Sequence, residues 1–153
     1  DYDKEITALF QSHSDRMIFA SLPRAGERLA PRLLAEWGDD RTRFDSAQEV
    51  QALAGTSPTP YQSGKFSRPR FRWSCVKDFR YALQLFAWGS TLSEPWAHEY
   101  YDAQRKRGKK HHEAVRALAN VWVKIIFAMW KNYQLYDREA FLAAQMAHRR
   151  QVA

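Results

Sequence analysis

Apolar residues recur at helical spacing through most of the chain. The strongest pattern runs from Glu113 to about Tyr133, where apolar residues fall three, four and seven positions apart. We predict that this helix faces the core with six side chains: Leu118, Val121, Trp122, Ile125, Ile126 and Met129. No pair of alternating segments indicates β-strands, so the pattern predicts an all-α fold.

A second strong pattern predicts a helix from Cys75 to about Ser90, with Ser74 as its N-cap. One apolar stripe of this helix consists of Val76, Phe79, Leu83 and Phe86. A second stripe, on the opposite side, consists of Tyr81, Leu85 and Trp88. A helix that is apolar on two faces is typical of one buried between neighbours, so we expect this helix at the centre of the core.

Weaker patterns predict the remaining helices. They cover Asp3 to about Ala20, Glu27–Trp37, a short helix through Ala54 opened by the Ser46–Glu49 capping box, Ser93–Arg107, and Asp137 to about Arg150. We therefore expect six or seven helices with a start like a helix-hairpin-helix and one long irregular basic loop. Residues 1–20 are interpreted as the end of a linker or coiled-coil helix, and residues 21–153 as one domain.

The hairpin-like start is the turn Leu22–Gly26 between two predicted helices. Such a turn can hold a phosphate with the backbone N–H groups of a helix N-terminus. Hairpins of that kind usually carry two glycines, and here Arg24 stands where the first would be. Two interpretations are open: Arg24 adds a phosphate contact, or the hairpin only packs.

The longest segment that cannot be helical is Gly55–Arg72, which contains Pro58, Pro60 and Pro69. It has one well-framed hydroxyl, Ser63, followed by cations with no acid among them: Lys65, Arg68, Arg70 and Arg72. Lys77 and Arg80 follow in the first turns of the next helix, where cations are unfavourable unless an anion is near. These six cations are candidates for phosphate contact, although each is also explained as solvated surface.

Composition narrows the classes of function. The net charge of +7 and a sequence pI near 9.7 indicate a polyanionic partner, with nucleic acid favoured over a membrane. A single cysteine, Cys75, excludes an internal disulfide and a cysteine-rich zinc site, and fits a reducing compartment. The most apolar run, Val115–Trp130, is interrupted by charge and is too short to span a bilayer.

Two polar clusters have competing explanations. The run Arg105–His112 is either a solvated turn or a grip on a DNA or RNA backbone. Asp39, Asp40 and Asp45 raise the question of a metal site, but turn carboxylates paired with Arg41 and Arg43 explain them better. We therefore predict no metal site in this chain.

An ordered series of motifs resembles a known family. The series runs Leu22-Pro23-x-Ala25-Gly26, Ala30-Pro31-Arg32-Leu33-Leu34, Gly38-Asp39-Asp40-Arg41-x-Arg43-Phe44-x-Ser46-Ala47, Ala54-Gly55-Thr56-Ser57-Pro58, Tyr61-Gln62-Ser63-Gly64-Lys65, then Arg80. It resembles the C-terminal serine-bearing domain of the bacterial insertion-sequence transposases IS110, IS116 and IS902. Each piece is weak alone, but the ordered series is specific.

The resemblance implies a DNA recombinase. In that family the serine of the Tyr-x-Ser-Gly element, matched by Ser63, forms a covalent 5′-phosphoserine link to DNA. A RuvC-like domain supplies four acids that bind Mg²⁺, and the composite site draws its parts from different subunits. Several members are guided by a structured noncoding RNA, the bridge RNA. The resemblance therefore implies DNA, a guide RNA and further copies of the protein as partners, in the bacterial cytoplasm at the nucleoid.

None of the four RuvC-like acids is found in this sequence. We therefore expect the chain to be a fragment of a longer enzyme and to be inactive alone, with Mg²⁺ in the missing domain. The serine itself has an ordinary explanation, since a loop serine often bonds its own turn, and Ser57 and Ser67 are nearby rivals. The aromatic residues of the segment either stack on bases or pack the loop on the core: Tyr61, Phe66, Phe71 and Trp73.

Three functions thus compete. The first is a transposase catalytic domain in which Ser63 is the nucleophile. The second is a DNA- or RNA-binding module that places a partner nuclease without catalysis of its own. The third is a structural oligomerisation domain.

Overall fold

The computed structural model describes residues 2–57 and 75–152. Its helices are α1 Tyr2–Ser12, α2 Arg16–Ala20, α3 Gly26–Trp37, α4 Ala47–Ala54, α5 Lys77–Ser90, α6 Pro95–Lys106, α7 His111–Lys131 and α8 Arg138–Val152. No strand occurs among these residues, which confirms the all-α prediction. The described part has eight helices where six or seven were predicted.

Helices α5 and α7 form the centre of the fold. They pack on each other, α5 also packs on α3, and α7 also packs on α4 and α6. Leu118, Trp122 and Ile126 of α7 are fully buried, and Met129 is 5% exposed. The predicted core positions Val121 and Ile125 are only partly buried against that core. The helical periodicity therefore identified the buried face of α7 but included two positions at its edge that are only partly buried.

The central position of α5 is confirmed, but its predicted burial on two faces is wrong. Phe79, Leu83 and Phe86 are at most 1% exposed, whereas Tyr81 is 57% and Trp88 43% exposed. The side of α5 that carries Phe79, Leu83 and Phe86 packs into the core, whereas the residues of the second apolar stripe are exposed, with Leu85 at 39%.

The predicted first helix is divided into α1 and α2. The backbone N–H of Asp15 donates to His13 Nδ1 at 2.9 Å, which turns the chain between the two helices. Asp15 is thereby buried, at 3% exposed, and accepts two hydrogen bonds from the Arg41 guanidinium at 2.6 and 3.0 Å. The break brings the buried carboxylate of Asp15 to the half-buried Arg41, a long-range pairing that local periodicity does not reveal.

Two predicted helix starts are shifted. Helix α7 begins at His111 because Glu113 is its third residue, where its side chain accepts the Lys110 backbone N–H at 2.8 Å. Helix α5 begins at Lys77 with Val76 as its N-cap. Ser74, the predicted cap, lies outside the described residues.

Helix α2 joins α3 through a turn in which Arg24 and Gly26 both have positive φ, 61° and 64°. The two helices pack against each other, and the ring of Phe19 lies 6.2 Å from that of Trp37. Two packed helices joined by a short turn therefore occur at the predicted place, and the helix-hairpin-helix itself stays a prediction. Whether its turn contacts phosphate stays a prediction.

Candidate functional site

The segment predicted to carry the chemistry leaves and rejoins the fold at one point, which we call the loop base: Leu53, Gly55, Thr56, Cys75 and Val76. The Val76 backbone N–H donates to the Leu53 carbonyl at 2.8 Å, so residues on either side of the segment are hydrogen-bonded. Helix α4 ends at Ala54, and α5 begins directly after Val76. The anchoring of the segment is thus set by two helices of the core.

Gly55 closes the loop base through its backbone shape and its lack of a side chain. Its φ is 72°, in the left-handed region that favours glycine at a helix C-terminus. A Cβ added there would lie 2.9 Å from Cys75 Sγ and 3.0 Å from Cys75 Cβ. The close approach of the two sides of the loop base therefore depends on glycine at this position.

Helix α7 holds the loop base from the other side through Asn120. Thr56, only 1% exposed, donates its hydroxyl hydrogen to Asn120 Oδ1 at 3.0 Å. Gln51, 5% exposed, donates from Nε2 to the Asn120 backbone carbonyl at 3.0 Å, and the Thr56 N–H donates to the Gln51 carbonyl at 3.0 Å. We call this arrangement the Asn120 clamp. Sequence reasoning missed it, because bonds between residues 64 or 69 positions apart leave no local signal.

Arg80 and Lys77 lie in the first turns of α5, next to the loop base. Arg80 is half-buried, and its Cδ would be 3.4 Å from a Cβ placed on Gly55. Lys77 is exposed. The structure therefore brings these two predicted cations to the point where the segment joins the fold.

The surface beside α5 also carries acids that the prediction did not weigh. Arg32, Ala35, Glu36, Asp78 and Tyr81 line a shallow pocket between α3 and α5. Burial raises the pKa of the Glu36 carboxyl above its usual value, and the nearby Asp78 carboxylate raises it further. The cationic character of α5 is therefore limited to the side of Lys77 and Arg80.

Of the remaining predicted site residues, Arg24 is described by the structure and the others are not. Arg24 is exposed in the turn before α3 and belongs to a different turn from the loop base. Five predicted residues lie outside the described part of the chain, and their roles stay predictions: Ser63, Lys65, Arg68, Arg70 and Arg72. The same holds for Ser67 and for the aromatic residues of that segment.

The carboxylates after α3 act as turn and surface groups. Asp40 Oδ1 accepts hydrogen bonds from the Thr42 hydroxyl and backbone N–H, and these bonds lower the pKa of its carboxyl. Asp39 pairs with His13 at 3.3 Å, and Arg41 bonds Asp15 instead of the turn carboxylates. Within residues 2–57 and 75–152, no group of three or more His, Cys, Asp or Glu side chains could hold a metal ion.

The basic run after α6 is an exposed turn. Residues 105–112 are exposed throughout, and Gly108 has a φ of 95°. Beside it, His111 Nδ1 lies 2.7 Å from the Tyr101 hydroxyl, and the His111 ring lies 4.8 Å from the Trp88 ring.

In the described part of the chain, no helix has both the length and the apolar character needed to cross a membrane.

Comparison with known proteins shows which family this chain resembles. The family model described as "Transposase IS116/IS110/IS902 family" matches residues 16–102, which include α2 to α5, the loop base and residues 58–74. The 42 kDa protein of insertion element IS900 from Mycobacterium paratuberculosis is 34% identical over 94% of this chain and 36% of its own length. The 43.6 kDa protein of insertion element IS110 from Streptomyces coelicolor is 30% identical over 95% of this chain and 36% of its own length. The chain thus spans about a third of the length of these relatives.

Proposed function

This chain belongs to the Transposase IS116/IS110/IS902 family, and from that premise we propose that Ser63 attacks a DNA phosphodiester during insertion-sequence transposition. Ser63 Oγ forms a bond to phosphorus, the bond from phosphorus to the 3′ oxygen breaks, and a 5′-phosphoserine joins protein and DNA. The serine proton passes to a base outside the described residues, and the released 3′ oxygen takes a proton from solvent and leaves as a 3′-hydroxyl. Because a phosphoester is retained, a 3′-hydroxyl can attack it and join strands without ATP.

The fixed loop base is the observation that carries this proposal. A serine hydroxyl is a weak nucleophile, and attack on phosphate builds negative charge that positioned cations must hold. The 2.8 Å Val76–Leu53 hydrogen bond and the Asn120 clamp hold both sides of the segment against α4 and α7. Arg80 and Lys77 lie at that base, and we propose that they contact phosphate together with Lys65, Arg68, Arg70 and Arg72.

The described residues do not fit the Mg²⁺ that the family resemblance implies, because they contain no suitable group of ligands. We propose that a RuvC-like domain outside these residues holds that ion. On this proposal the chain contributes half of an active site and does not transfer strands alone. DNA, a structured guide RNA and further copies of the protein are its proposed partners, and DNA binding would place it at the bacterial nucleoid.

The test replaces Ser63 by Ala in a protein that spans the full length of the relatives. With end-labelled DNA, the wild type should form an adduct that survives denaturing electrophoresis and is released by alkaline elimination of phosphoserine. Ser63→Ala should lose both adduct and strand exchange while it still binds DNA. Ser57→Ala and Ser67→Ala are matched controls from the same segment, and each should keep the adduct. An adduct that forms with Ser63→Ala would show that the serine assignment is wrong.

The competing proposal is a binding module that positions a partner nuclease. The exposed Lys77, the half-buried Arg80 and the exposed basic turn would serve binding equally well. In that case no variant forms an adduct, the wild type included, and Ser63→Ala leaves strand exchange unchanged. The same gel therefore separates the two functions.

A further inference from the structure

Three aromatic rings from three helices meet in what we call the Trp88 cluster: Trp88 of α5, Tyr101 of α6 and His111 of α7. The Trp88 ring centroid lies 5.2 Å from that of Tyr101 and 4.8 Å from that of His111, both in edge-to-face geometry. The Tyr101 hydroxyl lies 2.7 Å from His111 Nδ1, and Arg105 donates to the same hydroxyl at 3.2 Å. These contacts fix the orientation of the rings.

The Trp88 cluster remains open to solvent. Trp88 is 43% exposed, and His111 is exposed as well. Tryptophan has the largest apolar ring of any residue and usually buries it when the core offers room, as Trp37, Trp122 and Trp130 do here, each at 0% exposure. A tryptophan held in place by its neighbours and yet half open is pre-organised to receive a flat ligand.

A strongly cationic turn adjoins the cluster. No acid occurs from Gln104 to His112, and this stretch carries five exposed cations, which we call the basic turn: Arg105, Lys106, Arg107, Lys109 and Lys110. Arg105 belongs to both features through its bond to Tyr101. A Cβ on Gly108 would meet nothing within 4 Å, so the turn has open space around its backbone. Cations interleaved with exposed aromatic rings match a ligand that alternates negative charge with flat rings.

Trp88 lies on the same exposed face of α5 as Lys77, which is next to the loop base. Lys77, Tyr81 and Trp88 fall on one side of the helix, because eleven residues make about three helical turns. All three are exposed. Trp88 is thus about 17 Å along the helix from Lys77. This face extends from Lys77 to the Trp88 cluster, and at Tyr81 it borders the pocket that Glu36 and Asp78 also line.

We propose that the Trp88 cluster and the basic turn form a second nucleic-acid binding surface, separate from the loop base. An unpaired base stacks on Trp88, and the basic turn holds the neighbouring phosphates. A single strand is favoured because stacking on a side chain needs a base whose face is not covered by its neighbours in a duplex. The choice of nucleic acid as the ligand rests on the proposed function, whereas the surface itself uses none of the residues of the loop.

The test measures binding of this chain to fluorescein-labelled oligothymidylate, oligouridylate and a duplex of the same length. Trp88→Ala should weaken binding of the single strands by about 5- to 100-fold, the range expected for one stacked base, and change duplex binding little. Trp88→Phe, which keeps a ring, should restore most of the loss. Tyr2→Ala removes an aromatic side chain that is 80% exposed on α1 and serves as the control. The two single strands show whether the surface prefers DNA or RNA.

The basic turn is tested through salt dependence. Arg107→Ala combined with Lys109→Ala should lower the slope of log affinity against log salt by about 1.5 for a single strand. Lys4→Ala combined with Arg28→Ala removes two exposed cations from α1 and α3 and should change the slope by less than half as much. Equal slope changes in the two variants would overturn a specific role for the turn.

A measurement on the unmodified chain covers the case in which a variant fails to fold. Hydrogen exchange should show that a single strand protects residues 105–112 and leaves α1 unchanged. If Trp88→Ala matches Tyr2→Ala and residues 105–112 gain no protection, the second surface is wrong, whatever Ser63→Ala shows. The variant with Arg68, Arg70 and Arg72 all changed to Ala should retain the contribution of Trp88. If that contribution disappears with the loop cations, the two surfaces are one, and the proposal of a separate surface fails.

Discussion

At Gly55 a single missing methyl group governs how the loop segment joins the fold. Its φ of 72° costs an L-residue about 1–2 kcal/mol, and a Cβ would stand 2.9 Å from Cys75 Sγ. We expect Gly55→Ala to lower the free energy of unfolding by about 2–4 kcal/mol in urea titration. Gly26→Ala is the matched control, since Gly26 has a φ of 64° but nothing within 4 Å of a Cβ. Equal losses in both variants would show that the contact with Cys75 costs nothing.

Glu94 is a buried carboxylate whose charge is held by bonds from the start of α8. It is 2% exposed and accepts hydrogen bonds from the Tyr136 hydroxyl at 2.6 Å and from Arg138 at 3.0 and 2.7 Å. Burial alone would raise the pKa of the Glu94 carboxyl, but the bonds from Arg138 and Tyr136 outweigh burial and lower it. Burial, together with the bond to Glu94, raises the pKa of the Tyr136 phenol.

This lowered pKa predicts a pH dependence of stability. The contribution of Glu94 is fully present above the pKa of an unfolded glutamate, about 4.3, and is lost as the pH falls through the lower folded pKa. At pH 7, Glu94→Gln should be less stable than the wild type by about 1 kcal/mol, a value that allows for solvent at Arg138. The difference should shrink as the pH falls from about 5 to 3. Urea titrations across that range test it, with the exposed Glu99→Gln as control, and a constant difference would contradict the assignment.

At the scale of elements, the Asn120 clamp couples α4 to α7. Thr56→Val and Asn120→Ala each break the 3.0 Å hydrogen bond between their side chains, and each should lower stability by about 1–2 kcal/mol. The double variant should lose less than the sum, with a coupling of about 0.5–1.5 kcal/mol in a double-mutant cycle. Asn132 donates from Nδ2 to the backbone carbonyl of Ala128, and among the described residues its side chain has no hydrogen bond with Thr56, so Thr56→Val with Asn132→Ala should be additive. Additivity in both cycles would mean that the clamp carries no energy.

Helices were largely predictable from the sequence because their signals are local. The Ser46 N-cap, the Gly55 stop and the apolar spacing of α7 all lie within a few residues of the feature that they specify, although the Glu49 side chain accepts the Asp45 N–H where a capping box would use that of Ser46. The break between α1 and α2 was not predictable, since it serves the pairing of Asp15 with Arg41, 26 residues away. The exposed stripe of α5 was also misjudged, because periodicity reports which residues share a face and not what covers that face.

The candidate site was predictable in part, for the same reason. Glycine, proline and cationic residues marked the segment, and the ordered motifs indicated the family that the comparisons confirm. The sequence also named Arg80 and Lys77, which the structure brings to the loop base. The Asn120 clamp was not predicted. Asn120 is a polar residue in an apolar helix, and nothing near it in the sequence indicates that it accepts a hydrogen bond from the distant Thr56 hydroxyl.

At the scale of the whole molecule, the net charge of +7 is concentrated in two places. One is the segment from Lys65 to Arg72 with the α5 cations that follow it, and the other is the basic turn. Acids are present near these cations as well, because Asp78 of α5 and Glu36 of α3 line a pocket together with Tyr81. A polyanion that met an evenly spread charge would bind all surfaces alike, whereas cations concentrated in two regions of the chain favour a defined path.

The contribution of the segment from Lys65 to Arg72 to DNA binding can be measured directly. Arg68, Arg70 and Arg72 changed together to Ala should weaken duplex DNA binding and lower the slope of log affinity against log salt by about 2–3. The control changes Lys4, Arg28 and Lys124 to Ala, which removes the same charge from exposed positions on α1, α3 and α7. If the two triple variants have the same affinity and slope, the segment is no binding loop. Of the three competing functions, a structural oligomerisation domain would then fit best, because it requires no contact between these arginines and DNA.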